Sequence, residues 1–286
     1  MPTASWPSLA NTFAASGTLV MDGGSLQTGS LTLGLNGGTG SMTVNGGTVS
    51  VGTGSEGLYV GRRTGDVGSS TAKSALSTLD LSGADSFSAN VGTFGIGYVT
   101  GSGGGQTYPT GRVTLSPDNN ITATTVVVAD SPSVGLGSVT NELHFGASNN
   151  VQADTVTIGG SKGRALADLA AGGVLNLVGR SGQRANVNVG NQPVGTGGGS
   201  TGVLDLSDGT FNAMIDQWVL ASKVTGANGT TSGTVTLAAG DVDANDIVLG
   251  RRVGNHTNGA VQATFNFNGG VLRAGTITRD LDPNGR

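Results

Sequence analysis

The feature that most constrains this chain is a three-part phrase returning at intervals of 23 to 37 residues: apolar-x-apolar, a Gly/Asx corner, apolar-x-Ala, then apolar-x-apolar-Gly. It reads Leu143-His144-Phe145, Val151-Gln152-Ala153 and Val156-Thr157-Ile158-Gly159, and returns as Val235-Thr236-Leu237, Val242-Asp243-Ala244 and Ile247-Val248-Leu249-Gly250. Alternate residues of a strand face the same side, so each apolar pair marks a short strand with one buried face. A unit this small cannot bury that face alone, but stacked copies can.

The first strands end at Met21, Val44, Leu81, Leu115, Phe145, Leu177, Leu206, Leu237 and Phe267, each with an apolar residue two positions earlier. The third strands carry pairs such as Leu58/Val60, Phe94/Ile96 and Trp218/Leu220, followed by Gly34, Gly61, Gly97, Ala129, Gly159, Gly190, Ala221 or Gly250. A small residue there predicts a corner turned through positive φ. Second strands pair a large residue with alanine, as in Phe87/Ala89, Ile121/Ala123 and Phe211/Ala213. The sixth repeat is the least regular, with Gly182-Gln183-Arg184-Ala185 in place of that pair. This pattern predicts an all-β, right-handed parallel β-helix of about nine rungs, each of three short strands, ~40 Å tall at ~4.8 Å per rung. A two-sheet sandwich also alternates every ~10 residues. The invariant order within the unit favours the helix. The expected layout is an N-terminal cap over 1–16 built on Trp6, Leu9 and Phe13, a β-helix over 17–279 and a C-terminal tail over 280–286.

Composition agrees with strands and turns. Glycine is 53 of 286 residues, and charged residues are only 11%, yet 36% are apolar and regularly spaced, which separates the chain from disordered Gly-rich sequences. The acids are 16 Asp against 2 Glu, a bias toward turns rather than helices. A net charge of −4 argues against nucleic acid as a partner, and the lack of cysteine excludes disulfides and thiol chemistry. No apolar run approaches the ~18 residues of a membrane helix, so direct insertion is not expected. Met1-Pro2-Thr3-Ala4-Ser5-Trp6 lacks the basic start and apolar run of a signal peptide, so any export signal is expected to lie outside this sequence.

The segment Gly40-Ser41-Met42-Thr43-Val44-Asn45-Gly46-Gly47-Thr48-Val49-Ser50-Val51-Gly52 resembles the Gly/Thr-rich repeats of secreted bacterial parallel β-helix proteins, with autotransporter passenger domains and surface adhesins as the nearest likeness. The resemblance covers most of residues 17–279 and is one of repeat grammar. It implies an extracellular or cell-surface setting and a structural or adhesive role. It brings no catalytic signature, and no outer-membrane barrel is present.

A β-helix displays its outward residues as ladders that can be read for chemistry. Polysaccharide cleavage needs acidic residues on adjacent rungs beside a cation. Asp80 and Asp205 share a ladder but stand four rungs apart, and Asp241, Asp243 and Asp246 read as turn and solubility residues. Thr rows are interrupted, which excludes an ice-binding array. Only Tyr59 is an outward aromatic, and His144 and His256 lie far apart. Gly-x-Gly-x-x-Gly occurs at 52–57 and 197–202 but opens no helix, so no dinucleotide cofactor is expected. No catalytic, cofactor-binding or metal residues are assigned. One pattern remains: Arg62, Arg63, Lys162, Arg180, Lys223, Arg251 and Arg252 are read as loop cations after the third strands, sharing one edge that faces an anionic glycan.

The sequence therefore predicts an extracellular structural or adhesive β-solenoid, a rigid surface or filament module without catalysis. The alternative is a glycan-binding or polysaccharide-degrading β-helix. Expected partners are a cell-surface polysaccharide or a second copy stacked end to end. Arg279 falls where an apolar residue would close the last repeat, so the C-terminal end is expected to be the more exposed one.

Overall fold

A computed structural model describes residues 15–65, 73–101, 107–132, 139–193, 198–224, 228–254 and 259–280. Most of the predicted cap over 1–16 and of the tail over 280–286 lies outside the described residues, although Asp280 ends the strand Val271–Asp280. The described chain is all-β, apart from one 3-10 turn at Arg180–Gly182. All strand pairings among the described residues are parallel, and each joins segments 23 to 38 residues apart.

The pairings form three ladders. The first runs from Ser16–Met21 through Thr39–Val44, Lys73–Asp80, Thr107–Thr114, Asn141–Phe145, Arg164–Leu169, the start of Thr201–Lys223, and Thr231–Ala239 to Val261–Phe267. The second runs from Ser25–Thr28 to the start of Val271–Asp280, and the third from Leu31–Leu35 to the end of the same strand. Each ladder has nine segments among the described residues. The chain visits the three ladders in turn, so successive visits to one ladder define a step. Long strands such as Thr201–Lys223 bend at the corners and serve all three.

Apolar pairs facing inward fill the space between the ladders. Leu33, Leu58, Val60, Phe94, Ile96, Val128, Val187, Val189, Trp218 and Leu220 are fully shielded, as the period-two pattern predicts. The corner after the third strand is left-handed at every predicted position: φ is 71° at Gly34, 71° at Gly61, 60° at Gly97 and 84° at Gly250, and even Ala129 (59°) and Ala221 (56°) adopt it. Added methyls would strike backbone at several glycines of this column. At Gly190 a Cβ would lie 2.0 Å from the Ser232 carbonyl oxygen.

Register corrects the sequence reading in two places. The sixth first-strand segment is Arg164–Leu169, which pairs with Asn141–Phe145 and with Thr201–Asp205, so Leu169 rather than Leu177 is its anchor. Leu175 and Leu177 belong to the second ladder, and Gly182-Gln183-Arg184-Ala185 lies where the chain passes from the second to the third. The second-strand pairs are also offset by two residues at two steps. Phe87 aligns with Asn119, and Phe211 with Leu175, which aligns in turn with Asn149. Two asparagines thus occupy an inward column between aromatic and aliphatic neighbours, and both are completely buried.

Among the described residues the ninth segments have a partner on one side only, with Phe267, Val271 and Ile277 exposed and Phe265, Leu272 and Ala274 half-buried.

Candidate functional site

The expected basic edge divides. Arg62 and Arg251 do fall in one column of the third ladder, but six steps separate them, ~29 Å at ~4.8 Å per step. Tyr98 and Asp130 stand between them in that column. Arg63 and Lys223 are fully buried, so neither offers its charge to a surface polymer. The reason is local: the left-handed residue at Gly61 or Ala221 resets the alternation, so the second residue after it points inward. Arg63 Nε donates to the Gly65 carbonyl at 2.9 Å, while Lys223 Nζ and Arg252 both donate to the Gly259 carbonyl at 3.2 Å. Burial, with Arg252 nearby, lowers the Lys223 pKa.

Arg180 does not follow a third strand at all. It sits at the corner between the second and third ladders and clasps Asp154 one step below, through Nε at 2.8 Å and Nη2 at 2.6 Å. Arg251 is engaged with Asp280 at 3.1 Å and Gln217 at 3.2 Å. Lys162 lies in the turn of the fifth step, half-buried, its backbone N–H donating to Gln192 at 2.7 Å.

The corrected register assembles an ionisable row that sequence spacing concealed. Asp168 stands on the outer face of the first ladder, next to His144 on one side and Asp205 on the other. His144 Nδ1 lies 2.7 Å from Asp168 and Nε2 3.2 Å from Glu142, which also accepts from Arg112. Hydrogen bonding to Asp168 raises the His144 pKa, chiefly against the effect of burial. Burial pushes Glu142 upward, but the hydrogen bonds from Arg112 and His144 outweigh it and leave its pKa lowered. A general acid working near neutrality needs the opposite shift. With both ring nitrogens occupied and Asp205 accepting from the Ser207 N–H at 3.1 Å, the row is a chain of ion pairs rather than a poised acid and base.

The signs define a pH window. Stability from His144 is complete below its ordinary value of 6.5 and is lost as pH rises through its elevated one. Stability from Glu142 is complete above 4.5 and is lost as pH falls through its depressed value. The melting temperature of His144→Phe is therefore expected to fall furthest below that of the native chain between about pH 5 and 6, and to converge with it as pH rises past the elevated His144 value. The groups are partly exposed, so the difference is small, about 1 kcal/mol or less. A constant difference across pH would exclude this account.

The acidic trio is also engaged: Asp241 with Arg273, Asp243 with Arg184 at 2.9 Å, and Asp246 with the Thr276 hydroxyl at 2.5 Å. Among the described residues no group of three or more His, Asp or Glu is placed to hold a metal ion. A second outward aromatic, Tyr98, was not apparent from the strand pattern, because the left-handed turn at Gly97 sets its direction. It stacks beside Tyr59, with ring centroids 6.1 Å apart and planes within 5°. No protein-family model matches the chain, and no curated protein or solved structure matches it.

Proposed function

We infer that the three ladders close into a right-handed parallel β-helix of nine rungs, and that the protein is a rigid structural and adhesive module of an extracellular surface or filament. In-turn visits to three parallel ladders support the helix, and parallel crossovers take the right hand. One observation carries the functional reading: the polar side chains are spent on joining one step to the next. Asn120, Asn150, Asn176 and Asn212 form an outward asparagine ladder with contacts of 3.3, 3.0 and 3.0 Å. Asn45–Asp22, Ser41–Thr78, Asn245–Asp216 and Asn266–Thr236 do the same on other columns, and among the described residues six of seven ion pairs span one step or more. Each bond is modest alone, ~1 kcal/mol or less, but many together resist shear between the steps they join.

We extend this reading to assembly through the ends. Half-buried Phe265 and Leu272 of the ninth step match, in kind, the half-buried Leu19, Met21 and Leu26 of the first. A second copy stacked head to tail continues all three ladders in the same direction, a contact that extends without closing. Sedimentation equilibrium tests this. The average mass is expected to rise above 28.0 kDa in whole-chain increments with concentration, and Phe267→Asp with Ile277→Asp is expected to restore the single chain. A single chain at every concentration, combined with turnover of a polysaccharide, would favour the enzymatic alternative instead.

A further inference from the structure

The geometry points to Tyr59, Arg62 and Tyr98 as a shelf that binds a pyranose ring of a polysaccharide. Only three tyrosines occur in the chain, and two of them lie side by side on the outside of the third ladder, at its second and third steps. The Arg62 guanidinium carbon lies 3.8 Å over the Tyr59 ring, and Arg62 is aligned with Tyr98 across the ladder. The guanidinium and the Tyr98 ring thus lie on adjacent steps of the same column.

The seat beneath Tyr59 is kept clear by glycine. A Cβ at Gly57 would come within 2.0 Å of Tyr59 Cε2, and one at Gly95 within 2.9 Å of Cδ1. Glycine at both positions lets the ring lie down along the sheet instead of standing away from it. The polar groups beside it are arranged for a ligand with both hydroxyl donors and acceptors. Arg62 Nε is shielded from solvent and lacks an acceptor among the described residues, so the outer guanidinium nitrogens are the ones left to meet a hydroxyl, whereas Arg180, Arg184 and Arg273 are all bound to carboxylates. Asp130 follows Tyr98 in the same column, half-buried; its Oδ1 accepts from the Ser161 N–H at 2.7 Å, and the Ser161 side chain bonds the same carboxylate.

Arg62, Tyr98 and Asp130 occupy three consecutive steps, so donor and acceptor originate ~10 Å apart with an aromatic face between them. A pyranose ring has the complementary chemistry: an apolar C–H face for the aromatic, and equatorial hydroxyls at its rim for Arg62 and Asp130. A wholly apolar partner would cover both charged groups without pairing them, which is unfavourable.

Affinity electrophoresis of the full chain through gels cast with xylan, galactomannan, laminarin, hydroxyethyl cellulose or polygalacturonate tests the shelf. Retardation is expected in at least one gel. Tyr98→Ala is expected to weaken it at least tenfold and Arg62→Gln several-fold, while Tyr98→Phe retains it. Thermal melting of each variant reports folding independently, and Arg62→Gln leaves both rings in place should Tyr98→Ala fold poorly. Absence of retardation in all five gels would overturn the proposal. So would retardation unchanged in Tyr98→Ala and Arg62→Gln, because the ring pair would then serve only as a cover for Gly57 and Gly95. Neither result bears on end-to-end assembly, which the sedimentation experiment addresses separately.

Discussion

Trp218→Ala is expected to destabilise the protein by ~3–5 kcal/mol, the range for truncating a large buried aromatic. Trp218 is fully shielded and meets two aromatic edges, Phe211 at 6.0 Å and Phe265 at 5.2 Å. Phe265 lies on the ninth segment of the first ladder, so Trp218 is the inner tie between the seventh step and the open end. Its removal leaves a large void and releases Phe265 together. The indole Nε1 has no hydrogen-bond partner, and Trp218→Phe relieves that buried donor while keeping an aromatic ring. That variant is expected to lose only ~1–2 kcal/mol. Urea unfolding measures both, and hydrogen exchange should place the weakening in residues 201–280. A loss under about 1 kcal/mol for Trp218→Ala would mean that the end is held by backbone ladders alone.

Asn149→Ala is expected to cost ~3 kcal/mol, although it removes only a small side chain. The Asn149 amide makes four contacts inside the core. Its Oδ1 accepts from the Gly146 N–H at 3.0 Å and from Asn119 Nδ2 at 2.8 Å, and its Nδ2 donates to the carbonyls of Gly146 at 2.8 Å and Val174 at 3.0 Å. Alanine leaves these groups unpaired where no water reaches, and leucine, of similar size, does the same. Asn119 repeats the arrangement one step below, bonded to Ser116. The double variant Asn119→Ala/Asn149→Ala should therefore cost less than the sum of the two single variants, by about 1 kcal/mol. Strict additivity in chemical denaturation would show that the two amides act independently.

The buried asparagines mark the limit of pattern reading. Asx beside a corner reads as a turn residue, and Asn119 and Asn149 do sit at corners, yet they point inward and replace an apolar pair. The second-strand phrase was consequently matched two residues out of step at the third and seventh repeats. The sixth anchor went astray for a related reason. Leu175-Asn176-Leu177 alternates as well as any first strand, whereas the true segment hides its inward face behind Ala165 and Ala167. The basic edge was misjudged because parity was carried through a left-handed corner that resets it. The same reset turns Arg63 and Lys223 inward and Tyr98 outward.

Local order alone specifies the strands, their inward residues and the left-handed corners, because alternation and the absence of a bulky side chain act within a few neighbouring residues. That is how Leu58, Val60 and Gly61 could be assigned without coordinates. Pairing along the stack is different in kind. Neighbours in a column lie 23 to 38 residues apart, and the varying lengths between them leave several registers compatible with the same pattern. Hydrogen bonding between steps and the packing of the interior select one register. Only that selection sets His144 beside Asp168, lays Tyr59 beside Tyr98, and turns a variable set of outward residues into bonds from one step to the next.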